Sequence, residues 1–331
     1  MPKRSVSLLR LIVLYVYNTE RFINDVDIQY SMSYTEVMER NGTKYYYRVL
    51  SVRNGKKVNK KRIYLGKSLK KDELIKKEEE ADRELIFLNN LLTKEDIKLL
   101  NDIKQVFKRE PKDNFQNRYE AFCSLFTYDS TTIEGNTLTL QQTSQLLFEN
   151  RVPATKSLRG INEVLNHKKA FDYVLDYKKD INKEFILKLH GLVIEGTLKK
   201  GLENQKGKYR NVQVYIRGVK WIPPKHNEVP KEMTSLLSWY SKNEKKLHPL
   251  VLATYFHSAF ELIHPFVDGN GRVGRLLINF ILHKNKYPMI NIPNKIKHLY
   301  YSALEKAQVK GDLNSLTRLL FKILKESKLR F

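Results

Sequence analysis

The chain has 331 residues, 41% of them hydrophobic, and a single cysteine, Cys123; that length supports one large or two smaller folded domains, and one cysteine excludes an intrachain disulfide and points to a reducing, cytoplasmic setting. No apolar run reaches the length of a membrane span, so no membrane partner is expected. The net charge of +24 invites an acidic partner such as a nucleotide or nucleic acid, but the excess is spread out, at +7 over residues 1–100, −2 over 101–150 and +19 over 151–331.

In chain order, the opening 22 residues have a basic start and a short apolar stretch. Arg10 interrupts that stretch and no small-residue cleavage site follows, so a signal peptide is not expected. Residues 44–66 read as a β-hairpin: Tyr45, Tyr47 and Val49 alternate, Asn54-Gly55 is a turn signal, and Val58 to Leu65 returns. Asp72 to Leu88 then reads as a charged helix. Together these give a small α+β module over 1–78, followed by a helical connector over 79–112. From 113 to 331 the pattern is mainly helical, with helices over about 118–136 and at Leu252 to Ile263 and Val273 to Ile281. One interruption, 208–224, has alternating Val212, Val214 and Ile216, a turn at Arg217-Gly218 and a return from Val219, which predicts a second hairpin.

The chemistry concentrates in "HPFVDGNGRVGR", His264 to Arg275. Gly269, Gly271 and Gly274 have the spacing of a dinucleotide fingerprint, but a helix rather than a strand precedes them and no acid follows at the required distance. A Walker A loop also fails, because no G-K-[ST] is present. What remains is helix, loop, helix. Gly269 and Gly271 permit close backbone approach, and a helix starting near Gly271 points free N–H groups into the loop as an anion site. Arg272 and Arg275 fall on one side of that helix, and a guanidinium suits phosphate. Asp268 offers a hard oxygen ligand of the kind Mg²⁺ takes. His264 is placed to act as a general base. The other histidines, His167, His190 and His257 among them, read as core or surface residues.

This stretch resembles the Fic family signature HPFx[D/E]GN[G/K]RxxR, and His264, Pro265, Phe266, Asp268, Gly269, Asn270, Gly271, Arg272 and Arg275 match every fixed position. The likeness runs over roughly 113–331. It implies a mainly α Fic-type domain with a β-hairpin flap, and transfer of AMP from ATP to a hydroxyl side chain of a target protein. By that resemblance His264 takes the hydroxyl proton and Asp268 holds Mg²⁺. Gly269, Asn270 and Gly271 cradle the α-phosphate, and Arg272 and Arg275 hold the β- and γ-phosphates. Tyr300 and Tyr301 match positions flanking the adenine, Gln308 falls near a nucleotide-binding position, and Ile216, Gly218, Val219 and Trp221 belong to the target-docking flap.

"STTIEGN", Ser130 to Asn136, resembles the family's inhibitory motif [S/T]xxxE[G/N]. Ser130 and Glu134 share a helix face and Gly135 suits a helix stop. The resemblance implies that Glu134 pairs with Arg275 and obstructs the γ-phosphate. Removal of AMP, with Glu134 aligning a water, is an alternative reading. Relatives that phosphorylate their targets depart from the signature at the position of Gly271, which ranks that reading low. A different class stays open: the basic, aromatic hairpin at 44–66 suits nucleic-acid or partner binding. Self-modification and a homo-oligomer are further expectations.

Overall fold

The computed structural model describes residues 32–54, 57–85, 88, 91–219, 221–327, 329 and 331. The opening 22 residues, the start of the N-terminal module and Gly55 of the expected Asn54-Gly55 turn lie outside the described residues. The chain divides into two compact units, one ending at Lys94 and one starting at Glu95.

The first unit is a three-stranded antiparallel meander and a helix. Strands β1 (Met32–Arg40), β2 (Thr43–Asn54) and β3 (Lys57–Lys67) pair in the order β1-β2-β3. The expected hairpin is the β2–β3 pair. Strand β1 adds to it through a two-residue turn at Asn41 and Gly42, both at positive φ (49° and 71°), the conformation that favours Asn-Gly in tight hairpins. Helix α1 (Lys71–Leu85) packs on β2 and β3.

The second unit is helical: α2 (Lys94–Lys108), α3 (Phe115–Ile133), α4 (Leu140–Phe148), α5 (Leu158–Asp176), α6 (Lys183–Val193), α7 (Val229–Asn243), α8 (Pro249–Ile263), α9 (Asn270–Lys284), α10 (Lys297–Lys310) and α11 (Asn314–Glu326). Helix starts follow local sequence. Thr139 and Gln142 form a capping box on α4, and Ser157 and Asn182 cap α5 and α6 through their side chains. Helices α8 and α9 pack on each other at the centre, each with residues buried on every side, and α9 buries Asn270, Arg272, Arg275 and Asn279 along with its apolar residues. Each of their buried Leu, Val, Ile and Phe side chains contributes about 1.5–3 kcal/mol, so the loop joining them hangs from the most rigid part of the unit.

The hairpin expected over 208–224 takes a different form. The chain reverses at Arg217–Gly218, with Gly218 at φ 87°, but no β-ladder joins the two arms among the described residues. Side chains bond the carbonyls instead. Gln213 Nε2 donates to Pro223 O at 3.0 Å, and the buried Arg210 donates to Val212 O at 3.1 Å and to Pro224 O at 2.5 Å. Pro223 and Pro224 carry no N–H with which to extend a ladder. No helix among the described residues is long and apolar enough to cross a membrane.

Candidate active site

Helix α8 begins behind His248, whose Nδ1 accepts the Leu250 N–H at 3.2 Å, and it ends at His264. His264 leaves the helix at φ 50°, ψ 62°, with its N–H still donating to Phe260 O at 2.9 Å. That left-handed backbone costs a non-glycine residue about 1–2 kcal/mol, and Pro265 cannot continue the helix. Asn270 closes the loop from the other end, accepting the Phe266 N–H at 2.9 Å and donating to Phe266 O at 2.9 Å. Its buried side chain thus ties the loop closed with one acceptor and one donor bond. Gly269 (φ 83°) precedes α9, and a side chain there would begin 2.8 Å from Ile194 Cγ2. The first turn of α9 therefore opens into the loop with N–H groups that have no intrahelical acceptor.

Arg272 and Arg275 both stand on α9 and both are buried. Arg272 donates to Asp268 Oδ1 at 2.9 Å and its Nη1 pairs with Glu163 Oε1 at 3.9 Å, while Nε and Nη1 make no hydrogen bond among the described residues. Arg275 donates from Nε to Ser130 Oγ at 3.0 Å, and from Nη2 to Ser130 O at 2.7 Å and Glu134 Oε1 at 2.8 Å. Its Nη1 is likewise buried and makes no hydrogen bond among the described residues. Burial opposes the Arg275 charge, yet Glu134 holds its pKa above the ordinary value. Glu134 is the cap residue just past the end of α3, followed by Gly135 at φ 101°. Its Oε1 lies 2.1 Å from where a Gly271 side chain would begin, so the carboxylate rests against the opening turn of α9.

Burial pushes the His264 imidazole down to about 4, so it is neutral at physiological pH. Its Nδ1 lies 3.3 Å from Glu261 O, which sets Nδ1 as the donor and leaves Nε2 as the basic nitrogen. The Glu261 carboxyl stands 3.8 Å from the same Nδ1. Burial and the nearby Glu134 charge raise it to about 8. Asp268 Oδ1 also accepts the Gly269 N–H at 2.6 Å, and Oδ2 accepts from Arg159 at 3.1 Å.

The structure thus brings His264, Asp268, the Gly269–Gly271 turn, Arg272, Arg275, Ser130 and Glu134 into one cluster. Tyr300 is buried, its hydroxyl 2.7 Å from His257 Nε2, and its ring lies 5.3 Å from that of the more exposed Tyr301. Gln308 is half-buried near the end of α10. In the flap, Gly218 is exposed and Ile216, Val219 and Trp221 are half-buried. Three residues escape the sequence reading. His190 stacks on Phe266 at 3.7 Å between centroids, accepts the Gly207 N–H at Nδ1 and bonds Asp268 O from Nε2 at 3.2 Å. Arg210 donates to His264 O at 2.8 Å as well as to the flap carbonyls, tying flap to loop. Glu261, one helical turn before His264, is the third, and that spacing alone was a legible signal.

A histidine in left-handed backbone, the open N-terminus of α9 and two buried arginines thus stand together around the loop. Residues 180–282 match the model of the Fic/DOC family, and the chain carries a Fic-family domain. It is 36% identical over 203 residues to the protein adenylyltransferase Fic of Drosophila persimilis, covering 58% of this chain and 37% of that one. It is 32% identical over 254 residues to the protein of the same name from Drosophila grimshawi, covering 71% and 50%. The chain thus spans half or less of the length of these relatives. Among solved structures, a Fic domain containing signaling protein from Bacteroides thetaiotaomicron superposes with a TM-score of 0.62 at 27% identity, covering 70% of this chain and 92% of that one. Fic-1 from C. elegans superposes with a TM-score of 0.62 at 25% identity, covering 78% and 76%.

Proposed function

We propose that the chain is a protein adenylyltransferase that moves AMP from ATP to a hydroxyl side chain of a target protein and restrains itself through Glu134. The observation that carries this reading is a neutral His264 whose free Nε2 stands beside the α9 anion pocket. The hydroxyl oxygen attacks the α-phosphorus, the bond from that phosphorus to the bridging oxygen breaks, and pyrophosphate leaves in line. His264 Nε2 takes the hydroxyl proton. The α9 N–H groups bind the α-phosphate, and the Arg272 and Arg275 guanidiniums meet the β- and γ-phosphates. The rest is positioning: His190 and Asn270 fix the loop, and Arg210 fixes the His264 carbonyl.

Asp268 would hold Mg²⁺ through its one carboxylate. The cation would there supply neutralisation of phosphate charge.

Glu134 and an incoming phosphate compete for the same place, because the carboxylate presses on the opening turn of α9 and holds Arg275. The same carboxylate, a third exposed, is placed to align a water against an AMP ester, so removal of AMP is the second reading. Burial raises the Cys123 thiol to about 12, which suits a thiol kept inert in a reducing, cytoplasmic setting. The test is transfer of label from α-labelled ATP to proteins of a cell extract or to the chain itself. His264→Ala should abolish transfer while nucleotide binding persists. Transfer at the wild-type rate by that variant would overturn the assignment.

A further inference from the structure

The N-terminal unit takes no part in the chemistry above. From Arg40 to Lys71 the chain has twelve Lys and Arg residues and no Asp or Glu. The strand register sorts its side chains onto two faces. Thr35 and Arg48 face α1, where the Thr35 hydroxyl donates to Glu78 and Arg48 pairs with it at 3.7 Å. Residues of the opposite parity stand on the other face. Glu36, Tyr47 and Tyr64 form one cross-strand row there, and Tyr34, Val49 and Arg62 the next.

Around the fully buried Val49, that second face carries the half-buried Tyr45 and Tyr47 and the exposed Tyr34 and Tyr64, edged with positive charge. The Tyr47 and Tyr64 rings lie 5.3 Å apart, and Tyr45 and Tyr64 lie 6.5 Å apart. The Lys60 amine sits 5.8 Å from the Tyr34 ring. Tyr64 is 52% exposed and Tyr34 38%. Arg62 is paired with Glu36 at 2.7 Å, so the charge offered to a ligand comes from Lys60 at one end of the rows and Lys67 at the other.

We propose that this sheet face binds a single-stranded nucleic acid, with bases stacked on the tyrosine rings and phosphates running along the lysines. Stacking on aromatic rings with a basic track beside them is how single strands are held without regard to sequence. An acidic protein would need the lysines but not the exposed rings. A duplex hides its bases and would leave the rings unused. The proposal does not rest on the reading of the active site, and either can fail alone.

The test uses the full chain and a labelled single strand of about 15 nucleotides, followed by fluorescence anisotropy. Binding is expected, and it should weaken steeply between about 50 and 200 mM salt as phosphate contacts release counterions. Tyr64→Leu should weaken it about fivefold or more, whereas Tyr64→Phe, which keeps the ring, should bind as the wild type does. Lys60→Gln, a surface change that leaves the rings in place, should reduce the salt dependence, and this holds the test open should Tyr64→Leu misfold. Four results would overturn the proposal: no binding at low salt, wild-type binding by a folded Tyr64→Leu, an unchanged salt slope in Lys60→Gln, or equal competition by a duplex or by polyglutamate.

Discussion

Replacing Glu134 by glycine should raise activity, although removing an acid from a site usually lowers it. The structure sets the size of the effect. Glu134 supplies one of the three hydrogen bonds made by Arg275, at 2.8 Å, and Ser130 supplies the other two. A charge-assisted bond of this kind contributes about 1.5–3 kcal/mol when desolvated. The Glu134 side chain is 33% exposed, so solvent screening cuts that to roughly 1–2 kcal/mol. About 1.4 kcal/mol is a factor of ten, so the population of productively bound ATP should rise about five- to thirtyfold. Glu134 follows the last turn of α3 and is not in its interior, so glycine there adds little helix cost. Ser130 keeps Arg275 in place after the change. The assay is label uptake from α-labelled ATP by wild type and Glu134→Gly, each with and without Arg275→Ala. Activation should appear only with Arg275 present. Equal or lower uptake by a folded Glu134→Gly protein, or activation that persists without Arg275, would refute the competition argument.

Four further outcomes are expected. Asp268→Ala should lose most of the Mg²⁺ dependence of ATP turnover, checked by titrating the metal at fixed ATP; an unchanged titration curve would remove Asp268 as the ligand. Glu261 is held near 8, so its carboxylate becomes available to stabilise the His264 imidazolium only as pH rises through that value; the single-turnover rate should climb between about pH 7 and 9 in the wild type, and Glu261→Gln should flatten that climb while leaving nucleotide affinity unchanged. Burial depresses His190, His248 and His264 to about 4 and His257 to about 3. The unfolded chain therefore binds protons that the folded one does not, and stability should fall as pH drops below about 6.5, by up to about 1.4 kcal/mol per pH unit for each such histidine; a melting temperature unchanged from pH 7 to pH 5 would contradict this. Arg210→Met leaves buried carbonyls of the loop and flap without a donor, which should destabilise the fold by about 2–4 kcal/mol in denaturant titration and slow AMP transfer.

The active-site loop was legible because its chemistry is contiguous: acid, base, glycines and arginines fall within twelve residues between two strongly apolar helices. The Ser130–Glu134 pair was legible for the same local reason, one helical turn at a helix end. The residues that hold the loop in shape were not legible. His190 and Arg210 come from distant stretches where each reads as an ordinary helix or flap residue, and only the tertiary packing brings His190 under Phe266 or Arg210 beneath the His264 carbonyl. The flap misled because alternation of Val212, Val214 and Ile216 signals a strand whether or not a partner strand forms, and here side-chain amide and guanidinium donors took the carbonyls a ladder would have used. Strand β1 was in reach: Asn41-Gly42 is the same turn signal as Asn54-Gly55, and its two positive φ angles join β1 to β2.

The most direct test of the central claim is the mass and the label a modified protein gains. Glu134→Gly is incubated with Mg²⁺ and either α- or γ-labelled ATP, and the products are read by intact-mass spectrometry and autoradiography, with Glu134→Gly/His264→Ala alongside. The account predicts a gain equal to one adenylyl group, label from the α position alone, and no gain in the His264→Ala background. A phosphoryl-sized gain with label from the γ position, or an unchanged adenylyl gain without His264, would contradict it.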